Sequence, residues 1–127
     1  MKKEYLSDAL GNSNFQLREF DLLDLNALDC LFREQNFDMV YHLAANSDIQ
    51  QGYEDINVDY KNTFLSTYNI LCCMKNNNVK DIAFASSSAI YGNHTDILKE
   101  DSGPLKPISN YGAAKMASEA YISSFCE

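Results

Sequence analysis

A chain of 127 residues has room for one domain and not for two, and 46% hydrophobic with 22% charged residues is the profile of a packed protein rather than a disordered one. The net charge of −8 argues against a general nucleic-acid binder, because a phosphate backbone would be repelled, but leaves open a nucleotide held by local backbone donors. No apolar run approaches the ~20 residues of a membrane helix. Met1-Lys2-Lys3-Glu4 is not followed by the apolar stretch of a signal peptide, so the expected compartment is the cytoplasm.

Residues 1–14 are mixed and polar and read as a loop ending in Leu10-Gly11-Asn12-Ser13-Asn14. Phe15 to Phe20 is a short strand candidate, followed by a polar turn around Asp21 and Asp24. Leu25, Leu28, Leu31 and Phe32 recur at helical spacing and predict an amphipathic helix over 25–35. Asp38 to Ala45 is nearly continuous in apolar side chains, the pattern of a strand buried on both faces of a parallel sheet. A long helix is expected over 57–75, broken by Asn76-Asn77-Asn78. Val79 to Ala85 reads as a third strand closed by Ser86-Ser87-Ser88. A loop with Gly103, Pro104 and Pro107 leads to a last helix from Asn110 onward.

Alternating strands and helices predict an α/β fold with a right-handed parallel sheet, whose ligands sit outside the carboxyl ends of the strands. Cys30, Cys72, Cys73 and Cys126 form no Cys-x-x-Cys pair, and His42 and His94 lack metal-ligand spacing. Reduced thiols and no metal are expected, with Cys72 and Cys73 as small buried hydrophobes and His42 structural.

The segment richest in chemistry is Tyr111-Gly112-Ala113-Ala114-Lys115. Side chains four apart on a helix share a face. A free tyrosine, with a pKa near ~10, is a poor base at neutral pH, and an adjacent ammonium makes it a usable one by stabilising the phenolate. Taken alone, Tyr-x-x-x-Lys is far more often a feature of an ordinary amphipathic helix, by roughly ten to one. Upstream, a strand ends in Ser86-Ser87-Ser88-Ala89-Ile90-Tyr91-Gly92, where the serines are either turn formers or hydroxyls aimed at a substrate. A strand-end hydroxyl plus a Tyr/Lys helix in the next unit is a functional constellation.

Tyr41-His42-Leu43-Ala44-Ala45, Phe84 to Gly92 and Ser109 to Lys115 together resemble successive motifs of the extended short-chain dehydrogenase/reductase family. Their order and spacing are similar to the NAD-dependent epimerase/dehydratase branch, of the UDP-glucose 4-epimerase type, from about Phe15 to Glu127. The resemblance implies a catalytic set of Ser87, Tyr111 and Lys115, with Ser86 and Ser88 less favoured by position. Tyr111 would be the proton acceptor, and Lys115 would also hold the nicotinamide ribose. It implies NAD contacts at Asp21, Leu22, Leu43, Ala44, Ala45, Tyr111 and Lys115, and at Asn62 or Thr63, of which Thr63 is taken. From its own residues, Asp21 reads equally as a turn or N-cap aspartate.

The resemblance also marks absences. The family's opening turn Gly-x-x-Gly-x-x-Gly holds the pyrophosphate on backbone amides. Gly11, Gly52, Gly92, Gly103 and Gly112 form no such cluster, and the acidic residue that reads the ribose hydroxyls is missing. The expected fold is therefore a partial Rossmann-type doubly wound parallel sheet lacking its first two strands. Residues 1–127 would be one partial NAD-binding domain without a C-terminal substrate domain, a fragment of a longer parent. With a strand order of 3-2-1-4-5-6, the Phe15 strand would be separated from the other two, leaving edges unprotected. Ser88 and Ala89 stand where dehydratases usually carry Asp-Glu, which disfavours dehydration, and Asn110 replaces a frequent Pro with little expected effect.

The implied activity is 4-epimerisation of a nucleotide-sugar, through a ketosugar that rotates and is reduced on its other face. The full-length parent would be a homodimer. The alternatives are a reductase, dehydratase or decarboxylase on the same scaffold, or a non-catalytic remnant.

Overall fold

The computed structural model describes residues 3–127, with side chains from Tyr5 onward; Met1 and Lys2 of the polar start lie outside the described residues. A 3-10 turn, Lys3–Leu6, and a single helical turn, α1 (Ser7–Leu10), stand where a loop was expected. α1 buries none of its residues, so no apolar periodicity announced it.

Helix α2 (Leu25–Glu34) starts where the Asp24 carboxylate accepts from the Ala27 amide at 3.1 Å. It buries Leu28 and Phe32, one turn apart. The two strands are shorter than the apolar runs containing them: β1 (Met39–His42) and β2 (Asp81–Phe84) pair in parallel, Met39 against Asp81 and His42 against Phe84. Phe15 to Phe20 forms no strand. A strand exists only through ladder bonds, and among the described residues no strand lies beside this segment.

Between the strands the chain is more helical than expected. Helix α3 (Ile49–Glu54) was not anticipated, although Asp48-x-x-Gln51 is a capping signature and the Asp48 carboxylate accepts from the Gln51 amide at 3.1 Å. The long helix is one rod in three parts: α4 (Ile56–Asp59), a π-helical stretch Tyr60–Leu65, and α5 (Ser66–Asn76). It stops at the predicted asparagine cluster. Asn77 Nδ2 donates to the Cys73 carbonyl at 2.8 Å, and Asn78 takes the left-handed φ of 57° that asparagine tolerates. A 3-10 turn, Ser88–Ile90, follows β2, and the last helix is α6 (Asn110–Cys126).

The core forms where α2 and α5 meet one face of the sheet. Leu28, Phe32, Ile70, Leu71, Cys73, Met74 and Val79 are buried together, with Leu22, Val40, Ile82, Ile122 and Phe125 packed against them. Side chains alternate along a strand, so Val40, His42, Ile82 and Phe84 turn to the helices while Met39, Tyr41 and Leu43 turn away. This corrects the expectation of a strand buried on both faces: Tyr41 and Leu43 are each 73% exposed, because no described helix covers that side. Cys73 behaves as the buried hydrophobe expected, its thiol pushed up to about 11 by burial first and the Asp29 charge second, whereas Cys72 is only half-buried. All four cysteines are free.

Leu28→Ala is expected to lower stability by about 2–5 kcal/mol, the usual range for emptying a packed leucine site. Tyr41→Ser, on the bare face, should change it by less than about 0.5 kcal/mol. Urea denaturation of both variants checks the contrast; a large loss in Tyr41→Ser would mean that the outer face is covered in solution.

Candidate active site

The carboxyl ends of β1 and β2 and the first turns of α6 meet at one place. α6 begins at Ser109, whose hydroxyl accepts from the Gly112 amide at 3.0 Å. Gly112 is buried, and a Cβ there would lie 2.5 Å from the Ala89 carbonyl oxygen. Only glycine lets α6 approach the serine turn this closely. The contact brings Tyr111 and Lys115 to the end of β2.

Lys115 is 2% exposed. Its ammonium donates to the Ala85 carbonyl at 2.5 Å and lies 4.5 Å over the Phe84 ring and 5.8 Å from the centre of the Tyr111 ring. Among the described residues no carboxylate pairs with it. Burial pushes its pKa down from the ordinary lysine range. The carbonyl and the aromatic face offset part of the desolvation cost.

Ser87 caps the 3-10 turn, its Oγ accepting from the Ala89 amide at 3.2 Å, which leaves its own proton to donate elsewhere. Ser86 Oγ is buried and has no hydrogen-bond partner, whereas Ser88 is exposed. Asp21 is exposed and forms a turn, its Oδ1 accepting from the Leu23 amide at 2.9 Å. Leu22 is anchored by a residue that sequence reasoning missed: Asn69 Nδ2 of α5 donates to the Leu22 carbonyl at 3.0 Å. Leu43 and Ala44 are exposed at the end of β1 and Ala45 is half-buried.

Thr63 is fully buried, and its hydroxyl accepts from the Asn46 amide at 3.0 Å. It therefore shapes the loop after β1 and presents nothing to solvent, whereas Asn62 beside it is exposed. Asn110 has more effect than expected. Its Nδ2 donates to the Gly52 carbonyl at 2.9 Å, tying the residue before Tyr111 to α3. A proline there could not make that bond.

His42 is buried, 2.9 Å from the Thr67 hydroxyl. Thr67 Oγ1 already donates to the Thr63 carbonyl at 2.6 Å, so its single proton is committed and His42 Nε2 must be the donor. Burial, and then the Lys115 charge, push the imidazole pKa down to about 4. No group of three His, Cys, Asp or Glu side chains able to hold a metal occurs among the described residues.

Residues 2–127 match the model of the NAD dependent epimerase/dehydratase family. The chain belongs to that family. It is 36% identical over 108 residues to UDP-glucose 4-epimerase of Schizosaccharomyces pombe, covering 82% of this chain and 30% of the relative. It is 30% identical over 114 residues to UDP-glucuronate 4-epimerase of Thermodesulfobacterium geofontis, covering 90% and 35%. Its fold is similar to that of the UDP-Glc/GlcNAc 4-epimerase of Campylobacter jejuni, with a TM-score of 0.90 and 27% identity over 98% of this chain and 38% of that one. The chain thus spans about a third of the length of the relatives it matches. The fold is that of part of a Rossmann-type domain. No described helix is long and apolar enough to cross a membrane.

A neutral buried His42 makes stability depend on pH. Its folded pKa lies below the ordinary value, so on acidification the unfolded chain takes up a proton that the folded chain refuses. Stability is complete above the ordinary histidine value of ~6.5 and is lost as pH falls towards about 4, by up to about 3 kcal/mol. Thermal melts across that window should show the slope in the wild type and a flatter profile in His42→Gln; identical slopes would assign the acid sensitivity to other groups.

Proposed function

We propose that this chain carries the catalytic side of a nucleotide-sugar 4-epimerase site that works with NAD, with Ser87, Tyr111 and Lys115 as the reacting set. One observation carries the reading. Lys115 is a buried ammonium with no carboxylate partner among the described residues, held at the end of β2 beside Tyr111. A desolvated, unpaired cation is costly to keep unless it serves a negative or polar partner. The named activities of the three relatives above, each a sugar-nucleotide 4-epimerase, support the same reading.

NAD, when bound, supplies the acceptor and donor of the sugar hydride. Tyr111 takes the proton of the sugar hydroxyl as its carbon is oxidised and returns a proton when that carbon is reduced on the other face. Lys115 spends one N–H on Ala85 and has two more for the phenolate oxygen and a ribose hydroxyl. Ser87 donates to the sugar oxygen and holds it in line with Tyr111. Asp21 and Leu22 face the adenine end, and Leu43, Ala44 and Ala45 offer backbone and small side chains along the cofactor. The fit is to half of the cofactor site, since no glycine-rich turn for the pyrophosphate occurs in residues 1–127. Ser88 and Ala89, next to Ser87, supply no acid for eliminating water, which favours epimerisation over dehydration.

The partner at the helical face is a second copy of the chain. Phe64 and Tyr121 meet edge-on at 5.1 Å, Tyr68 joins Tyr121 at 5.8 Å, Ile56, Tyr60 and Phe64 line a 190 Å³ apolar hollow, and Ile56, Tyr60, Met116 and Tyr121 are exposed. An aromatic-rich exposed patch of this kind is typical of interface cores.

Isothermal titration with NAD is expected to give a millimolar or tighter Kd, weakened about tenfold or more in Lys115→Ala and Asp21→Ala. No binding to the folded wild type, or equal binding by both variants, would sink the cofactor reading. Light scattering should find a dimer that Tyr121→Lys converts to monomer; a monomeric wild type, or a variant still dimeric, would remove this face as the contact.

A further inference from the structure

The long helix carries a polar stripe on a buried face. Asp59, Thr63 and Thr67 follow one another at four-residue spacing, and all three are at most 1% exposed. Each holds a group of one short segment. Thr67 accepts from His42 at the end of β1, Thr63 accepts from the Asn46 amide, and Asp59 Oδ1 accepts from Asn46 Nδ2 at 2.9 Å. Asn46 adds bonds of its own, donating to the Asp48 carbonyl at 2.7 Å and accepting from the Asp48 amide at 3.0 Å. The segment is thus fastened at His42 and at Asn46, and the three residues between are those expected to pass along the cofactor.

The π-helical stretch lies between Asp59 and Ser66, and the hydroxyls that follow it satisfy its backbone. Ser66 Oγ donates to the Asn62 carbonyl at 3.0 Å and Thr67 Oγ1 to the Thr63 carbonyl. Such π turns recur at functional sites, where they re-aim side chains. From the other side, Gly52 of α3 presses on the carboxylate. A Cβ at Gly52 would lie 1.9 Å from Asp59 Oδ2, an oxygen that is buried and has no hydrogen-bond partner. Leaving a buried acceptor unsatisfied is costly, so the carboxylate is held there by what its other oxygen does for Asn46.

We propose that Asp59 and Asn46, together with Thr63, are positioning residues for the cofactor: they lock the Leu43–Ala45 backbone along which NAD lies, without touching it themselves. The functional half of this inference rests on the NAD reading above; the lock itself does not. Thr63 then acts through Asn46 and not by touching the cofactor.

The test compares Thr63→Val, which keeps shape and removes the hydroxyl, with Thr63→Ser, which restores it, and with Gly52→Ala, which pushes the Asp59 carboxylate from outside. Asn46→Ala serves where Thr63→Val does not fold. Amide exchange of residues 43–48 should quicken about tenfold in Thr63→Val and Gly52→Ala while α5 stays protected, and NAD affinity should fall about tenfold, with both restored in Thr63→Ser. Unchanged exchange in the loop overturns the lock. Quickened exchange with unchanged NAD affinity overturns the positioning role. No NAD binding to the folded wild type overturns the cofactor reading and the positioning role with it, while the exchange rates still decide whether the lock exists.

Discussion

The buried ammonium of Lys115 is the constraint around which the rest of the molecule is arranged. Taking a lysine out of water is expensive, and the chain offsets this with one carbonyl, at Ala85, and one aromatic face, at Phe84. Both lie at the carboxyl end of β2, so the charge pins the start of α6 to the sheet there, while Ile122 and Phe125 further along α6 pack on the core. Gly112 allows the approach by omitting a Cβ, Ala114 adds little bulk, and buried Ser118 turns its hydroxyl back to the Ala114 carbonyl at 2.8 Å. The same charge reaches His42 and helps to keep the imidazole neutral.

A division of labour along the long helix follows from this. Its α5 portion supplies Ile70, Leu71, Cys73 and Met74 to the apolar core shared with α2, which is where the free energy of folding is concentrated. Its α4 and π portions supply Asp59 and Thr63 to the loop after β1, and the first turn of α5 supplies Thr67 to His42. The rod therefore packs at one end and orients at the other. Asn69 and Asn110 extend the arrangement at a distance, one holding Leu22 and the other holding α3. Polar groups of this sort fix geometry more than they add stability, since each exchanges a bond to water for one to protein.

Much was legible in the chain itself. α2 follows from apolar spacing, α6 from the glycine- and proline-bearing loop that precedes it, and the long helix ends at its asparagine cluster. Lys115 and Tyr111, four residues apart, could be paired from the sequence because helical geometry alone brings them to one face. Less legible was anything that depends on a neighbour. Phe15 to Phe20 has the composition of a strand and no partner beside it, and the apolar run at 38–45 was read as buried on both faces although one face is bare. α1 and α3 are too short to show a period, although α3 carried a capping signature at Asp48 and Gln51.

The sequence by itself determined the longer local elements and the family, and singled out the side chains proposed to react, because spacing and ordered motifs are properties of neighbouring residues. Only the tertiary structure decided which side chains face the site and which stand behind it. Thr63 looked like a ligand contact and is sealed under Asn46, Asn110 looked neutral and fastens α3, and Asp59 gave no sign at all. Each role is set by hydrogen bonds to residues far along the chain or by burial, and neither can be computed from spacing.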